Sequence, residues 1–134
     1  PAHRELLALS AKEQALLDET LPATALLADL DLLQAWSVRK QRVFKPVDSF
    51  GSRGVLIGEK ISRKRFDQLP LETTLVQELV PPSFTEVPGN EPMKTDLRLY
   101  AYRDQVLGVT ARLYRGQVTN LHTPGGGFAR VKVV

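Results

Sequence analysis

The chain contains no cysteine, so disulfide bonds and thiolate metal sites are excluded, and cysteine usage indicates no particular compartment. Aromatic residues make up only 7% of the sequence and include one tryptophan, and the chain has one methionine. No apolar run approaches the roughly 20 residues that a membrane-spanning helix requires, and no signal peptide opens the sequence. These absences favour a cytoplasmic globular protein.

Neither sign of charge is strongly in excess. Eighteen lysines and arginines stand against fifteen acidic residues, which gives a net charge of +3. The basic residues cluster at positions 39–42 and 60–65, and there is no long basic tail. A hydrophobic content of 43% over 134 residues is typical of one soluble domain of ordinary size. An anionic nucleotide would account for the basic excess without any nucleic acid.

Residues 1–41 are predicted to form an amino-terminal helical segment. Its first helix covers residues 3–20 and ends before Pro22, and the stretch from Ser10 to Glu13 has the Ser-x-x-Glu form of a capping box. We assign the apolar face of this helix to the core: Leu6, Leu7, Leu9, Ala15, Leu16 and Leu17.

A second helix is predicted in the same segment. Asp29 or Asp31 is a suitable amino-terminal cap, and the helix runs to about Lys40. Three apolar residues at three-residue spacing define its buried side: Leu30, Leu33 and Trp36. We expect these side chains to belong to the core rather than to a membrane or partner surface.

Beyond this point the hydrophobic period becomes that of strands, and residues 42–82 are predicted to form a small lobe. Its elements are a hairpin of strands 43–47 and 55–57 around the loop 48–54, a short helix 62–69 and a central strand 74–80. Residues 83–134 follow as a connecting loop, 83–95, and an antiparallel meander. The predicted fold is therefore α+β, with amino-terminal helices, a small strand and helix lobe and a carboxyl-terminal antiparallel sheet.

The loop of the first hairpin has the composition of a phosphate-binding turn. Glycine permits positive φ and a close approach of the backbone, so successive amides can line a phosphate, although an ordinary hairpin turn explains the same glycines. Lys45 precedes the loop in an apolar strand, and its ammonium either reaches a negative group or lies in solvent. The candidate loop residues are Gly51, Ser52, Arg53 and Gly54.

The meander holds a second group of charged side chains. Asp96 and Arg98 lie two residues apart on a predicted strand and therefore face the same side, and Arg112 joins them if the hairpin pairs in register. Guanidinium groups bind oxygen atoms in pairs, which suits the charge of a transferring phosphoryl group. A surface salt bridge worth about 0–1 kcal/mol explains the same residues.

A second glycine-bearing loop follows the meander. Adjacent glycines pack no side chains, a pattern typical of backbone that lies against a ligand or another lobe. His122 lies in this loop, and a lone histidine is more often a loop hydrogen-bonder than a catalyst. The candidate residues here are Asn120, Gly125, Gly126 and Gly127.

Taken in order, the lysine strand, the glycine loop, the helix and the next strand resemble the small nucleotide-covering lobe of the ATP-grasp superfamily. The Asp96-x-Arg98, Arg112, Asn120 and glycine-triplet pattern resembles the large-lobe sheet of that superfamily. More narrowly, residues 40–134 resemble the carboxyl end of its circularly permuted, glutathionylspermidine-synthase-like branch.

The resemblance implies a role for each candidate residue. Lys45 would touch the α- and β-phosphates of ATP, and the glycine loop would cover them. Arg98 and Arg112 would be catalytic, whereas Asp96, Asn120 and the glycine triplet would help to bind the nucleotide. The end of the central strand would meet adenine and ribose through Gln77, Glu78, Leu79 and Val80.

Magnesium ligands of ATP-grasp enzymes commonly lie in an apolar-Glu-x-Asn segment, which this sequence lacks. In the permuted branch those ligands precede the part seen here, and this chain begins at Pro1 rather than at methionine. We therefore expect the carboxyl-terminal portion of an ATP-dependent carboxylate–amine ligase, with its Mg²⁺ ligands in the upstream part and no activity of its own. The alternative is a non-catalytic α+β module that binds nucleic acid or a protein.

Overall fold

The computed structural model describes residues 4–132 and contains two compact units that meet in the chain between Val80 and Pro81. These described residues hold three α-helices and two antiparallel sheets of four strands each, which confirms the predicted α+β class. The helical segment 1–41 and the small lobe expected at 42–82 fall almost entirely in the first unit. None of the described helices is long and apolar enough to cross a membrane.

Helix α1 spans Ala11–Thr20 and begins at the predicted capping box. The Ser10 hydroxyl accepts from the Glu13 amide, and the Glu13 carboxylate accepts from the Ser10 amide at 2.8 Å. Because a capping box marks a helix start, the prediction of one helix from residue 3 to residue 20 is wrong. Residues Arg4–Leu7 form a separate 3-10 turn, and residue 3 lies outside the described part.

The core assignment of the first helix is also wrong. No residue of α1 is buried, and the side chains of Leu6 and Leu16 are 77% and 57% exposed. The physical reason lies in the spacing: Ala15, Leu16 and Leu17 are consecutive, so they point in directions about 100° apart and form no single apolar stripe.

The first sheet consists of β1 (Thr24–Leu26), β2 (Arg42–Pro46), β3 (Leu56–Ile57) and β4 (Thr74–Glu78). The strand order is β1-β4-β2-β3, so the predicted hairpin is the β2–β3 pair and the predicted central strand is β4. Strand β1 was not predicted, because its three residues are too few to show a period of two.

The core of the first unit lies on one face of this sheet. Phe44 and Val76 are directly opposite each other in the register and pack with Ala35 of α2 (Leu32–Ser37) and Phe66 of α3 (Arg63–Asp67). The Phe66 ring lies 5.6 Å from the Phe44 ring and 5.3 Å from the Trp36 ring, between centroids. Side chains of this size supply most of the apolar area that a small unit can bury.

The second predicted helix is shorter than expected. Asp31 caps α2 by accepting from the Gln34 amide at 2.7 Å, and the helix ends at Ser37 because a 3-10 turn, Arg39–Gln41, follows it. Leu30 and Trp36 pack against the core as predicted, whereas Leu33 is 71% exposed and does not.

The second unit is a meander of β5 (Ser83–Thr85), β6 (Met93–Tyr102), β7 (Gln105–Tyr114) and β8 (Gly127–Arg130), in that order. The prediction that residues 83–95 are entirely loop is wrong, because β5 and the start of β6 lie within it. Prolines around β5 argue against a strand in the sequence, but they are tolerated beside an edge strand that pairs on one side only. In this sheet Met93 and Ala111 are buried on one face and Tyr114 is buried on the other.

Candidate functional site

The loop between β2 and β3 has the backbone conformation that its glycines predict. Three of its residues have positive φ: Gly51 at 62°, Ser52 at 64° and Gly54 at 71°. A Cβ at Gly54 would lie 2.8 Å from Cγ of Pro46, whereas one at Gly51 would meet nothing within 4 Å. Gly54 is therefore required both by its φ and by its contact with the strand.

Part of the loop backbone is engaged in the turn itself. The Arg53 amide donates to the Phe50 carbonyl at 3.2 Å, and the Val55 amide donates to the Ser52 carbonyl at 3.4 Å. The Arg53 guanidinium lies 4.9 Å from the centroid of the Phe50 ring, an exposed cation–π contact. The turn thus places the Arg53 guanidinium beside the loop, and the amides of Arg53 and Val55 already donate hydrogen bonds within the turn.

Lys45 is held on the face of the first sheet that lies opposite the core. Its ammonium donates to the side-chain oxygen of Gln77, and the Gln77 amide donates to the Thr24 hydroxyl at 3.0 Å. The lysine is half-buried, and its partner is a neutral amide rather than the negative group that the sequence suggested. No carboxylate of residues 4–132 forms an ion pair with Lys45, so its positive charge is not cancelled.

Lys45 and Gly54 line the same cavity, which measures about 290 Å³. Arg65 of α3 brings a cation to this cavity, and Asp48 brings a carboxylate. The sequence placed Arg65 only within a basic run at 60–65, because nothing local shows that α3 returns to the lysine strand. The cavity lies on the Phe44 face of the sheet, whereas the Lys45 ammonium is directed to Gln77 on the other face. Arg65 and the glycine turn are therefore the groups of this cavity that suit an anion, and Lys45 carries a further positive charge on the same strand.

The end of β4 uses much of its hydrogen-bonding capacity within the first unit. The Glu78 amide donates to the Ala23 carbonyl and the Leu79 amide to the Gln41 carbonyl, both at 2.9 Å. The Gln77 side chain is bound to Lys45 and Thr24. Adenine recognition by the amides of Glu78 and Leu79 would therefore require these bonds to break, so their assigned role stays a prediction.

In the second unit the predicted cluster of Asp96 and Arg112 is present. The two residues are directly opposite each other across β6 and β7, and Nε of Arg112 lies 2.5 Å from Oδ1 of Asp96. The second carboxylate oxygen of Asp96 accepts from the Thr119 hydroxyl at 2.8 Å. The carboxylate therefore fixes the orientation of Arg112 and offsets its charge, with both side chains about one-quarter exposed, 27% and 25%.

Arg98 lies on the same face of the second sheet but is exposed. It pairs in the register with Thr110, which in turn pairs with Arg130 of β8, so two arginines flank one threonine. The Thr110 hydroxyl oxygen is buried without a hydrogen-bond partner among the described residues. Arg130 was missed from the sequence because β8 is only four residues long and follows a glycine-rich loop.

Asn120 organises the second glycine-bearing loop. Its side-chain oxygen accepts from the His122 amide at 3.1 Å and from the Thr123 hydroxyl at 3.0 Å, and its side-chain nitrogen donates to the Arg115 carbonyl at 2.7 Å. These bonds give Asn120 a structural function in the loop. His122 contributes its backbone amide to the same arrangement.

The glycine triplet is explained largely by the loop and by β8. Gly125 and Gly127 have φ of 75° and 121°, which favour glycine. A Cβ at Gly126 would lie 2.4 Å from the Leu113 carbonyl oxygen, so close packing against β7 excludes any other residue there. Contact between this loop and a nucleotide stays a prediction.

The described residues hold no group of three His, Asp or Glu side chains that could bind a metal ion. Comparisons with protein-family models, with curated proteins and with solved structures gave no match for this chain. The residues themselves therefore carry the functional argument, in two places: the cavity at Lys45 and the polar face of the second sheet.

Proposed function

We propose that this chain binds ATP, as the carboxyl-terminal portion of a circularly permuted ATP-grasp protein of the glutathionylspermidine-synthase-like branch. The observation that carries the proposal is that Lys45, whose charge no carboxylate of the described residues cancels, lies on the strand that leads into the glycine turn, beside a cavity of about 290 Å³ lined by Gly54 and Arg65. A strand-borne ammonium beside a glycine turn is the arrangement by which the ATP-grasp small lobe holds phosphates, as the sequence resemblance implies.

The charges around β2 favour an anionic ligand. Arg65 and Asp48 line the cavity with one charge of each sign, and Lys45 adds a positive charge, cancelled by no carboxylate within residues 4–132, on the other face of the strand. The Lys45 ammonium gives up only a neutral amide partner when it turns to a phosphate, and the new hydrogen bond is charge-assisted. Exchange of Gln77 for a phosphate oxygen is therefore favourable.

For the second unit we propose that Arg98 and Arg112 act on the transferring phosphoryl group. Asp96 holds Arg112 through Nε, which leaves the two terminal nitrogens of the guanidinium for ligand oxygens. Arg98 is exposed and directed to the same face of the sheet. Guanidinium groups that are fixed before the reaction stabilise developing charge without reorganisation.

The reaction proposed for the full protein is activation of a carboxylate as an acyl phosphate, followed by capture by an amine. Mg²⁺ would bridge the phosphates and offset their charge, with ligands supplied by the upstream part of the protein. This portion alone is expected to bind ATP without turning it over, in a cytoplasmic protein.

Isothermal titration with ATP tests the proposal through two matched lysines. Lys45→Met should weaken ATP binding by about tenfold or more, because a charge-assisted phosphate contact is lost. Lys64→Met is the control, since Lys64 is exposed on α3 and does not line the cavity. Equal effects of the two substitutions would contradict a specific role for Lys45.

A specific observation favours the alternative, a nucleic-acid-binding module. Three aromatic rings, Tyr100, Tyr102 and Phe128, are 46–63% exposed on the same face of the second sheet as Arg98. Exposed rings beside guanidinium groups are how single-stranded nucleic acids are bound by stacking. A steep salt dependence of oligonucleotide affinity, unchanged by Lys45→Met and lost in Tyr102→Ala, would favour this alternative.

A further inference from the structure

The first unit contains a second cavity, which none of the residues assigned to ATP lines. It measures about 280 Å³ and is lined by residues of β1, β4 and α2, together with Arg42 at the start of β2. Pockets for drug-sized ligands measure roughly 300–1,000 Å³, so this cavity fits a smaller molecule. Its construction is independent of Lys45 and of the glycine loop.

Most of the wall of this cavity is apolar. Leu30, Val38 and Val76 line it with aliphatic side chains, and Ala25 and Ala35 leave room between them. A wall of this kind favours a hydrocarbon group of a few carbons, because it removes apolar surface from water.

The same cavity is lined by one cation and one anion, Arg42 and Asp31. Within residues 4–132 neither side chain has an ion-pair partner, although Glu78 pairs with Arg42 in the strand register. Asp31 uses Oδ1 to cap α2, which leaves its second oxygen as an acceptor. Arg42 is half-buried and brings the forked donors that bind a carboxylate in pairs.

We propose that this cavity binds a free α-amino acid with an aliphatic side chain. Arg42 binds the carboxylate, Asp31 accepts from the ammonium, and the apolar wall holds the side chain. A simple carboxylate would be repelled by Asp31 and a simple amine by Arg42, whereas a zwitterion satisfies both charges. The proposal goes beyond ATP binding and stands without it.

Calorimetric titration of the whole chain with three probes tests this inference. L-leucine carries both charges, 4-methylpentanoate lacks the ammonium, and 3-methylbutylamine lacks the carboxylate. L-leucine should bind at least about tenfold more tightly than either analogue, because each analogue leaves one charge of the cavity unmatched. Amide chemical-shift changes should centre on Ala25, Ala35 and Val76. Equal binding of an analogue, no binding of L-leucine, or shifts elsewhere would overturn the proposal.

Two substitutions test the two charges of the cavity with little change in its shape. Asp31→Asn keeps the helix cap, since asparagine caps as well as aspartate, and should weaken L-leucine binding by about tenfold. Arg42→Gln should have a similar effect. The controls are Asp29→Asn and Lys40→Gln, which alter exposed charges outside the cavity. Unchanged leucine affinity in Asp31→Asn would contradict the proposal even if Arg42→Gln failed to fold.

ATP titration of the same variants separates this inference from the proposed function. ATP affinity should be unchanged in Asp31→Asn, because Asp31 does not line the cavity of Lys45. Loss of leucine binding with intact ATP binding supports two distinct sites, and a parallel loss of both would overturn their independence.

Discussion

At the scale of single residues, the partner of Lys45 decides how ready this group is to bind a phosphate. The ammonium donates to Gln77, whose own amide donates to Thr24, so a short polar relay crosses three strands. An amide orients the lysine without cancelling its charge. A carboxylate in the same place would hold the ammonium in an ion pair and compete with any ligand.

Gln77→Glu tests this reading with almost no change in volume. We expect ATP affinity to fall by about tenfold, because the lysine must then leave a charged partner in a half-buried place. Thermal stability should be kept or should rise slightly. Calorimetric titration and a melting curve measure the two effects, and an ATP affinity equal to that of the native chain would show that Lys45 does not bind the phosphates.

Two glycines of the loop between β2 and β3 provide a matched pair. Both have positive φ, but only at Gly54 does an added Cβ approach Pro46, at 2.8 Å. Gly51→Ala should cost about 1–2 kcal/mol in the free energy of unfolding, from backbone strain alone. Gly54→Ala should cost about 1–3 kcal/mol more, because the clash is added. Urea unfolding measures both, and equal costs would mean that the turn does not pack on the strand.

At the scale of elements, α1 depends on its capping box. The bonds from the Ser10 hydroxyl and amide hold the pKa of Glu13 below its ordinary value of 4.5. A lowered folded-state pKa means that the carboxylate contributes stability above the unfolded-state pKa. That contribution is lost as the pH falls through the folded-state pKa.

Replacing the capping serine should therefore change the titration of Glu13. In Ser10→Ala the pKa of Glu13 should rise toward its ordinary value, because both the hydroxyl contact and the helix start are weakened. Carbon-detected NMR titration of the side-chain carboxyl group measures it. Ser37→Ala is a control within α2, and an unchanged Glu13 titration in Ser10→Ala would contradict the capping box.

The pair of β6 and β7 is joined by the contact of Asp96 with Arg112 and Thr119. Asp96→Ala should destabilise the second unit by about 1–2 kcal/mol, because two hydrogen bonds to a partly buried carboxylate are lost. Arg98→Ala should change stability by less than about 0.5 kcal/mol, since Arg98 is exposed. Hydrogen exchange of the β7 amides measures both changes in stability. A larger destabilisation by Arg98→Ala than by Asp96→Ala would show that Asp96 does not stabilise the pair of β6 and β7.

Long elements with a clear period were predictable from the sequence, and short ones were not. The five-residue strands β2 and β4 and the ten-residue strands β6 and β7 have enough alternating residues to reveal a face, whereas β3 has two residues and was predicted as the partner of β2 across the glycine loop. Strands β1, β5 and β8 have three or four residues and are defined by their neighbours in the sheet. The apolar residues around α1 led to the opposite error. They correctly indicated a helix, but they form no single stripe on its surface, so the predicted buried face is absent from α1.

The candidate site divides in the same way. Lys45, Gly54 and the pair of Asp96 with Arg112 could be proposed from the sequence because glycine and charge placement within an apolar strand are local signals. Arg65 and Arg130 could not be assigned to the candidate site from the sequence, because no local pattern shows which elements pack together.

At the scale of the whole molecule, the two units each carry a cationic feature although the net charge is only +3. Within residues 4–132 the ion pairs of Arg63 with Asp67, at 2.9 Å, and of Arg112 with Asp96 match only part of this charge. Among the other cations, Lys45 and Arg65 lie close to the glycine turn, and our proposed link between this fold and ATP rests on them.

Hydrogen exchange with and without ATP and magnesium tests that link most directly. ATP should slow exchange of the amides in residues 45–54 in the native chain, because phosphate oxygens accept from the loop backbone and order it. The same protection should be absent in Lys45→Met and present in Lys64→Met. Protection that is absent from residues 45–54, or that persists fully in Lys45→Met, would contradict ATP binding at this turn.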